Sequence, residues 1–175
     1  EALREAPETV ADAAVLRSDL LASAGCTGAF VAGVDRLDYT KGLLLRLDAF
    51  ELFLEMYPEH RGRVTLVQVA TPSRAGIPAY DQLKRDVDEA VGRINGRFGE
   101  GAWSPVLYRY RSYTQDELAV LYRAADIALV TPLRDGMNLV AQEFAVGTED
   151  GVLLLSELAG AADVLDGAVE VNPYD

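Results

Sequence analysis

The chain has 175 residues, half of them hydrophobic, which is typical of one domain with a sizeable core. Its net charge of −12 argues against nucleic acid and anionic membrane as general partners, so a bound anion must be held locally by a few cations and backbone N–H groups. The single cysteine, Cys26, excludes an intramolecular disulfide. There is no membrane-length apolar run of roughly 18 residues and no signal peptide, so we expect a cytoplasmic protein.

Apolar runs typical of strands alternate with helical patterns along the chain. A helix is predicted over 8–24, and strands are predicted at 30–34, 64–70, 106–110, 127–130, 152–155 and 168–171. Further helices are predicted at 41–57, at 79–98, from the Thr114–Glu117 capping box onward, at 139–146 and at 161–166. This alternation predicts an α/β fold with a doubly wound parallel sheet of about six strands.

The carboxyl ends of the first and fourth strands are the expected ligand site. Ligands of doubly wound sheets bind at the carboxyl edge, where the winding direction reverses. In the common strand order 3-2-1-4-5-6 that point lies between strands 1 and 4. The turns after Val34 and Val130 should therefore face each other.

The turn after the first strand carries two cations, Arg36 and Lys41. Arginine offers a planar fork of donors and lysine a mobile point charge, a pair suited to a diphosphate. The alternative is that both are surface charges paired with Asp35 and Asp38.

The turn after the fourth strand, Arg134-Asp135-Gly136, precedes a helix that begins near Asn138 and has no charge in its first turn. Free N–H groups at a helix N-terminus form an anion site, and Gly136 lets the backbone approach a phosphate. Asp135 and Glu143 can accept hydrogen bonds from sugar hydroxyls. The alternative is an N-cap aspartate and a solvated glutamate.

Three further features have ordinary surface roles as alternatives to a functional one. Arg74, after the second strand, adds a cation at the same sheet edge unless it is a plain loop arginine. Asp86 and Asp88 have the D-x-D spacing of a metal-dependent glycosyltransferase motif, but a helical run of charges predicts a solvated face. His60, the only histidine, follows a helix stop and is predicted to lie in a surface loop, which leaves no basis for a Ser/His/Asp triad or a zinc site.

Four motifs, in chain order, resemble those of trehalose-6-phosphate synthase, a retaining glycosyltransferase family (family 20). They are RLDYTKG (36–42), TPSR (71–74), TPLRDGMNLVAQE (131–143) and VNPYD (171–175). The resemblance implies that 28–175 is the Rossmann-like, nucleotide-sugar-binding, carboxyl-terminal half of a GT-B enzyme, and that 1–27 is a helical lead-in. It also implies that an amino-terminal acceptor domain and the final helices belong to a longer parent, so that this chain alone is inactive.

The resemblance implies a role for each matching residue. Arg36 and Lys41 hold the donor diphosphate and stabilise the leaving group, and Arg74 reaches the acceptor's 6-phosphate. Asp135 binds the donor glucose, and Glu143 binds the ribose. Five residues beside them would complete donor binding: Gly136, Met137, Asn138, Leu139 and Val140.

The implied reaction transfers glucose, with retention, from a nucleoside-diphosphate glucose to glucose-6-phosphate, giving trehalose-6-phosphate without a cofactor or metal. UDP-glucose is the expected donor, although the residues do not distinguish uracil from guanine or adenine. Two alternatives stay open: a related glycosyltransferase or pseudo-glycosyltransferase with another phosphorylated acceptor, and a non-catalytic nucleotide-sugar-binding regulatory module. A homo-oligomeric parent is also left open.

Overall fold

Helices and strands alternate through the computed structural model, which describes residues 7–74 and 76–175. Within those residues the helices are α1 (Pro7–Ser23), α2 (Leu43–Met56), α3 (Pro78–Phe98), α4 (Gln115–Ala124) and α5 (Leu139–Gly147). The strands are β1 (Ala29–Arg36), β2 (Val64–Thr71), β3 (Val106–Arg109), β4 (Ile127–Val130), β5 (Val152–Ser156) and β6 (Val169–Val171). Two short 3-10 helices lie at Tyr39–Lys41 and Pro58–His60.

The six strands form one parallel sheet in the order β3-β2-β1-β4-β5-β6. β1 and β2 pair along their whole length, whereas β1 and β4 pair only at Val31 with Ile127 and Ala32 with Ala128. The carboxyl ends of β1 and β4 thus lie side by side without a ladder between them. The predicted α/β class and the 3-2-1-4-5-6 order are confirmed.

Helices cover the sheet on both faces, with α1, α4 and α5 on one side and α2 and α3 on the other. Side chains of β1 alternate between the two cores. Phe30 and Ala32 belong to the same core as Phe144 of α5, and Val31 to the same core as Leu47 of α2. Because both faces are buried, the central strands are nearly continuous apolar runs, the pattern that predicted them.

Most predicted elements form within two residues of their predicted bounds, and the Thr114–Glu117 capping box is present. Two predictions are wrong. β1 runs on through Asp35 and Arg36, which were assigned to the following turn. The helix predicted at 161–166 is a series of turns. The predicted lead-in, 1–27, contains α1, and its first six residues lie outside the described part of the chain.

A charged network joins α2 to α3. Glu51, which is 9% exposed, accepts hydrogen bonds from Arg93 Nε at 2.9 Å and Arg97 Nη1 at 3.1 Å. The hydrogen bond from Arg93, helped by Arg97 and the charges of both, outweighs the effect of burial and holds the pKa of Glu51 below its ordinary value of 4.5. The network therefore stabilises the fold only while Glu51 is ionised.

Glu51→Gln should lower the free energy of unfolding near neutral pH by about 1 kcal/mol, a value discounted because both arginines are about half exposed. Since the folded-state pKa is depressed, the contribution of Glu51 is fully present above pH 4.5 and is lost as pH falls through the folded-state pKa. The difference in the free energy of unfolding between variant and wild type, measured by urea unfolding at a series of acid pH values, should therefore shrink as the pH is lowered.

Glu55→Gln is the matched control, because Glu55 lies on the same helix, is about half exposed and pairs with Arg97. Near neutral pH, Glu55→Gln should lower the free energy of unfolding clearly less than Glu51→Gln does. Equal losses for the two variants, or a loss for Glu51→Gln that persists in acid, would contradict the assignment.

Candidate active site

The turns that follow β1 and β4 are hydrogen-bonded to each other. The N–H groups of Leu133 and Arg134 donate to Thr40 O at 2.8 and 3.3 Å. Gly42, with φ 67°, lets the chain pass so close to Thr131 that a Cβ there would lie 2.8 Å from the Thr131 carbonyl oxygen. The predicted meeting of these two turns is confirmed.

Asp38 shapes the turn after β1. Its Oδ1 accepts hydrogen bonds from the Thr40 N–H at 3.0 Å and the Thr40 hydroxyl at 2.8 Å, which closes the 3-10 turn that presents Lys41. Burial raises the pKa of Asp38, but the bonds from Thr40 and Tyr80 and the charge of Arg36 together bring it below 3.8. Asp38 is therefore a carboxylate committed to the turn.

Lys41 and Asp135 join the two turns directly. Lys41 Nζ lies 2.5 Å from Asp135 Oδ2, with side-chain exposures of 13% and 18%. Asp135 also accepts from Asn138 Nδ2 at 2.9 Å and the Met137 N–H at 3.4 Å. Burial raises the pKa of Asp135, but Lys41, with help from those two bonds, brings it below 3.8. A charged pair thus stands in the crevice.

The N-terminus of α5 opens beside this pair. Asn138, not Asp135, is the N-cap: it has φ 71°, and its side-chain oxygen accepts from the Ala141 N–H at 3.0 Å. The first turn carries no acidic residue, and the N–H groups of Leu139 and Val140 have no carbonyl one turn back to bond. Asparagine caps helices well and tolerates positive φ, a signal that could have identified Asn138 from the sequence.

Glu143, in the second turn of α5, is half-buried and held by α4. Tyr122 Oη donates to Glu143 Oε2 at 3.2 Å, and Gln115 Nε2 donates to Oε1 at 3.4 Å. Both carboxylate oxygens are thus oriented by the protein. The alternative of a simply solvated glutamate does not describe this environment.

Arg74 lies at the β2 side of the same sheet edge. It is exposed, has φ 49°, and donates from Nη1 to the Tyr80 hydroxyl at 2.8 Å. Tyr80 Oη in turn donates to Asp38 Oδ2 at 3.3 Å. The structure thus connects Arg74 to the turn after β1, and Arg36, the exposed last residue of β1, completes the cationic edge.

A buried network that the sequence pattern does not predict lies beneath the crevice. Arg46 of α2 donates from Nη1 to Asp35 Oδ2 at 2.6 Å and Gln68 Oε1 at 3.1 Å, and from Nε to Thr131 Oγ1 at 3.0 Å. A Cβ at Gly33 would lie 2.5 Å from the Gln68 oxygen and 2.9 Å from Arg46 Nη1, so a larger residue there would displace the network. Polar Asp35 and Gln68 inside otherwise apolar strands were the available signal.

Comparison with known proteins identifies the relatives of this chain. The sequence model of glycosyltransferase family 20 matches residues 14–175. The chain is 54% identical over 147 residues to the bifunctional trehalose-6-phosphate synthase/phosphatase of Thermoproteus tenax, covering 83% of this chain and 20% of that protein. It is 48% identical over 147 residues to the UDP-forming alpha,alpha-trehalose-phosphate synthase of Schizosaccharomyces pombe, covering 83% and 29%.

The chain belongs to glycosyltransferase family 20.

Solved structures of this family share the fold. A UDP-forming alpha,alpha-trehalose-phosphate synthase from Burkholderia xenovorans, in complex with glucose-6-phosphate, has a TM-score of 0.87 at 42% identity and covers 96% of this chain. An E. coli chain bound with UDP-2-fluoro glucose has a TM-score of 0.86 at 39% identity and covers 98%. This family 20 chain spans 39% and 40% of those two chains, and 20% and 29% of the two relatives above.

The remaining candidate features of this family 20 chain have structural surroundings of their own. Asp86 and Asp88 are partnered one turn back on α3, by Gln82 and Lys84, as predicted for a solvated helix face. His60 was predicted in a surface loop, but it is half-buried in the short 3-10 helix after α2, with its ring centre 5.2 Å from that of Phe53. The described residues contain no group of three or more side chains suited to hold a metal ion, and no described helix is long and apolar enough to cross a membrane.

Gly42→Ala tests the contact between the two turns. The left-handed backbone disfavours alanine and the new Cβ meets the Thr131 oxygen at 2.8 Å, so we expect a loss of roughly 2 kcal/mol in the free energy of unfolding. Gly62→Ala is the matched control, because Gly62 has φ 74° with nothing within 4 Å, and should cost about 1 kcal/mol. If denaturant unfolding gives the same loss for both, the close approach of the turns is wrong.

Proposed function

We propose that residues 28–175 form the donor-binding half of a retaining GT-B enzyme that transfers glucose from UDP-glucose to glucose-6-phosphate, giving trehalose-6-phosphate. The observation that carries the proposal is the convergence of Lys41, Asp135 and the N-terminus of α5 at one crevice. Family 20 membership and the two relatives solved with glucose-6-phosphate and UDP-2-fluoro glucose support the choice of substrates.

The donor diphosphate would lie between the two turns. Lys41 and Arg36 supply positive charge, and the N–H groups of Leu139 and Val140, in the first turn of α5, would donate to the phosphates. Gly136 has no atom within 4 Å of its Cβ position, which leaves room for a ligand beside the backbone. The net charge of −12 does not oppose this, because solvated charges are screened beyond about 10 Å.

Carboxylates would bind the hydroxyl groups of the donor glucose and of the ribose. Asp135 is kept ionised and oriented by Lys41 and Asn138, so it is ready to accept from glucose hydroxyls next to the exposed Met137. Glu143 is oriented by Tyr122 in the same way and would accept from ribose hydroxyls. Each oxygen of these carboxylates can accept more than one hydrogen bond, so protein and ligand can bind together.

Catalysis would rest on charge stabilisation. As the bond between the anomeric carbon and the diphosphate breaks, the leaving group gains negative charge, and Lys41, Arg36 and the helix N-terminus lie where that charge develops. We propose that these groups do this without a metal. Arg74 would bind the acceptor's phosphate, and the rest of the parent enzyme would supply the other half of the acceptor site. The chain alone would therefore not catalyse transfer.

The free thiol of Cys26 supports a reducing compartment such as the cytoplasm.

The test is glucosyl transfer by the full-length protein. UDP-, GDP- and ADP-glucose should each be offered with glucose-6-phosphate, and the product analysed by NMR. We expect α,α-linked trehalose-6-phosphate, formed best from UDP-glucose. Transfer only to another phosphorylated acceptor would support the related glycosyltransferase instead. Donor binding without any transfer would support the regulatory module.

Lys41→Ala and Glu143→Gln should separate the two kinds of donor contact. Losing a charged donor beside the leaving group should lower kcat by roughly 100- to 1000-fold, because that contact strengthens in the transition state. A ribose hydroxyl gains no charge, so Glu143→Gln should weaken donor binding by about 1.5–3 kcal/mol and raise the donor KM. Steady-state kinetics of the full-length variants measures both.

Lys84→Ala is the control for the lysine change, since Lys84 pairs with Asp88 on the surface of α3 and should leave kcat and KM near wild type. If Glu143→Gln collapsed kcat with an unchanged donor KM, Glu143 would take part in the chemistry and its assignment to the ribose would be wrong.

A further inference from the structure

We propose that Tyr80 is a positioning residue for acceptor recognition: its hydroxyl stands between Arg74 and Asp38 and keeps the Arg74 guanidinium aimed and available for the acceptor's phosphate. The inference rests on the proposed acceptor role of Arg74. It assigns to Tyr80 a function that does not involve contact with either substrate.

The geometry of Tyr80 suits a fixed spacer. The residue is 8% exposed, at the start of α3. Its hydroxyl accepts from Arg74 Nη1 at 2.8 Å and donates to Asp38 Oδ2 at 3.3 Å. The ring packs edge-on against Tyr39, with centroids 5.5 Å apart, and the Arg74 guanidinium carbon lies 5.4 Å from the ring centre. Both hydrogen-bonding functions of the hydroxyl are therefore in use and its position is held by packing.

The spacer matters because of what Arg74 would otherwise bind. Asp38 is an ionised carboxylate whose Oδ2 accepts from the same hydroxyl, and an arginine readily forms a charge-assisted hydrogen bond to such an oxygen. That bond would occupy a guanidinium donor and turn the group away from a phosphate. In the described residues Arg74 forms no ion pair; its one hydrogen bond is to the neutral Tyr80 hydroxyl. The remaining guanidinium N–H groups stay free to donate.

The same carboxylate also organises the donor side. Asp38 Oδ1 is bound by Thr40, whose carbonyl oxygen accepts from Leu133 in the turn after β4. One chain of hydrogen bonds thus runs from Arg74 through Tyr80 and Asp38 to the turn that presents Lys41. Loss of the Tyr80 hydroxyl frees Oδ2 of Asp38 to capture Arg74, while Oδ1 still holds the donor turn.

The test uses Tyr80→Phe in the full-length enzyme. Loss of the hydroxyl should raise the KM for glucose-6-phosphate about tenfold, the size of one charged hydrogen bond, and leave kcat and the donor KM within about twofold. Inorganic phosphate, measured as a competitive inhibitor against glucose-6-phosphate, should lose affinity by a similar factor, because it reports on the phosphate contact alone.

Two further variants sharpen the result. Tyr39→Phe is the matched control: its hydroxyl donates to the Ala79 carbonyl and does not touch Arg74, so the acceptor KM should stay at the wild-type value. In Tyr80→Phe/Asp38→Asn the amide oxygen can still accept from Thr40 but no charge captures the arginine. Its acceptor KM should recover toward wild type, and no recovery would overturn the spacer role.

Arg74→Ala separates the inference from the proposed function. If Arg74→Ala raises the acceptor KM and the phosphate inhibition constant but Tyr80→Phe raises neither, the inference fails and the proposed function stands. If Arg74→Ala changes neither, the acceptor role of Arg74 fails and the inference with it. If Tyr80→Phe raises the donor KM as much as the acceptor KM and lowers Tm, Tyr80 is only structural and the inference is overturned.

Discussion

The buried guanidinium of Arg46 is the interaction on which the crevice depends. It joins Asp35 on β1, Gln68 on β2 and Thr131 after β4, three segments that are distant in sequence. A buried ion pair recovers its desolvation cost only when further hydrogen bonds complete it, and here Arg46 Nη2 has no partner in the described residues. We infer that the network adds little net stability and mainly fixes the positions of the turns after β1 and β4 relative to each other.

The charged residues of the crevice are more exposed than those of the buried network beneath it. Asp35 and Arg46 are about 1–2% exposed and bond each other, whereas Lys41 and Asp135 are partly exposed and face the crevice. A lysine ammonium has three N–H donors, and Asp135 Oδ2 takes one of them. The buried Asp35–Arg46 pair therefore holds the turns in place, and the partly exposed Lys41–Asp135 pair keeps hydrogen-bonding capacity for a ligand. This division explains why polar residues occur both inside the strands and after them.

The sequence predicted the sheet and its order because alternating apolar runs and the crossover rule act along the whole chain. Residues whose partners are distant were harder to place. The local pattern ends β1 before Asp35, because a charge normally marks a strand end. The partner of Asp35, Arg46, lies eleven residues on and cannot be recognised from local pattern. Turns replace the helix predicted at 161–166 because so short a segment between glycines cannot offset the cost of helix nucleation. Asp135 and Asn138 are both residue types that cap helices, and only the folded turn shows that Asn138 fills that position.

An acidic protein that binds phosphates must concentrate its positive charge. Four cations, Arg36, Lys41, Arg74 and Arg134, lie at or just beyond the carboxyl ends of three adjacent strands, while the chain as a whole carries −12. Surface charges beyond about 10 Å are screened, so the local cations and the N-terminus of α5 determine what an anion experiences inside the crevice. The parallel sheet would thus serve the proposed reaction by placing these cations and the N-terminus of α5 at the same edge, where both phosphorylated substrates are proposed to bind.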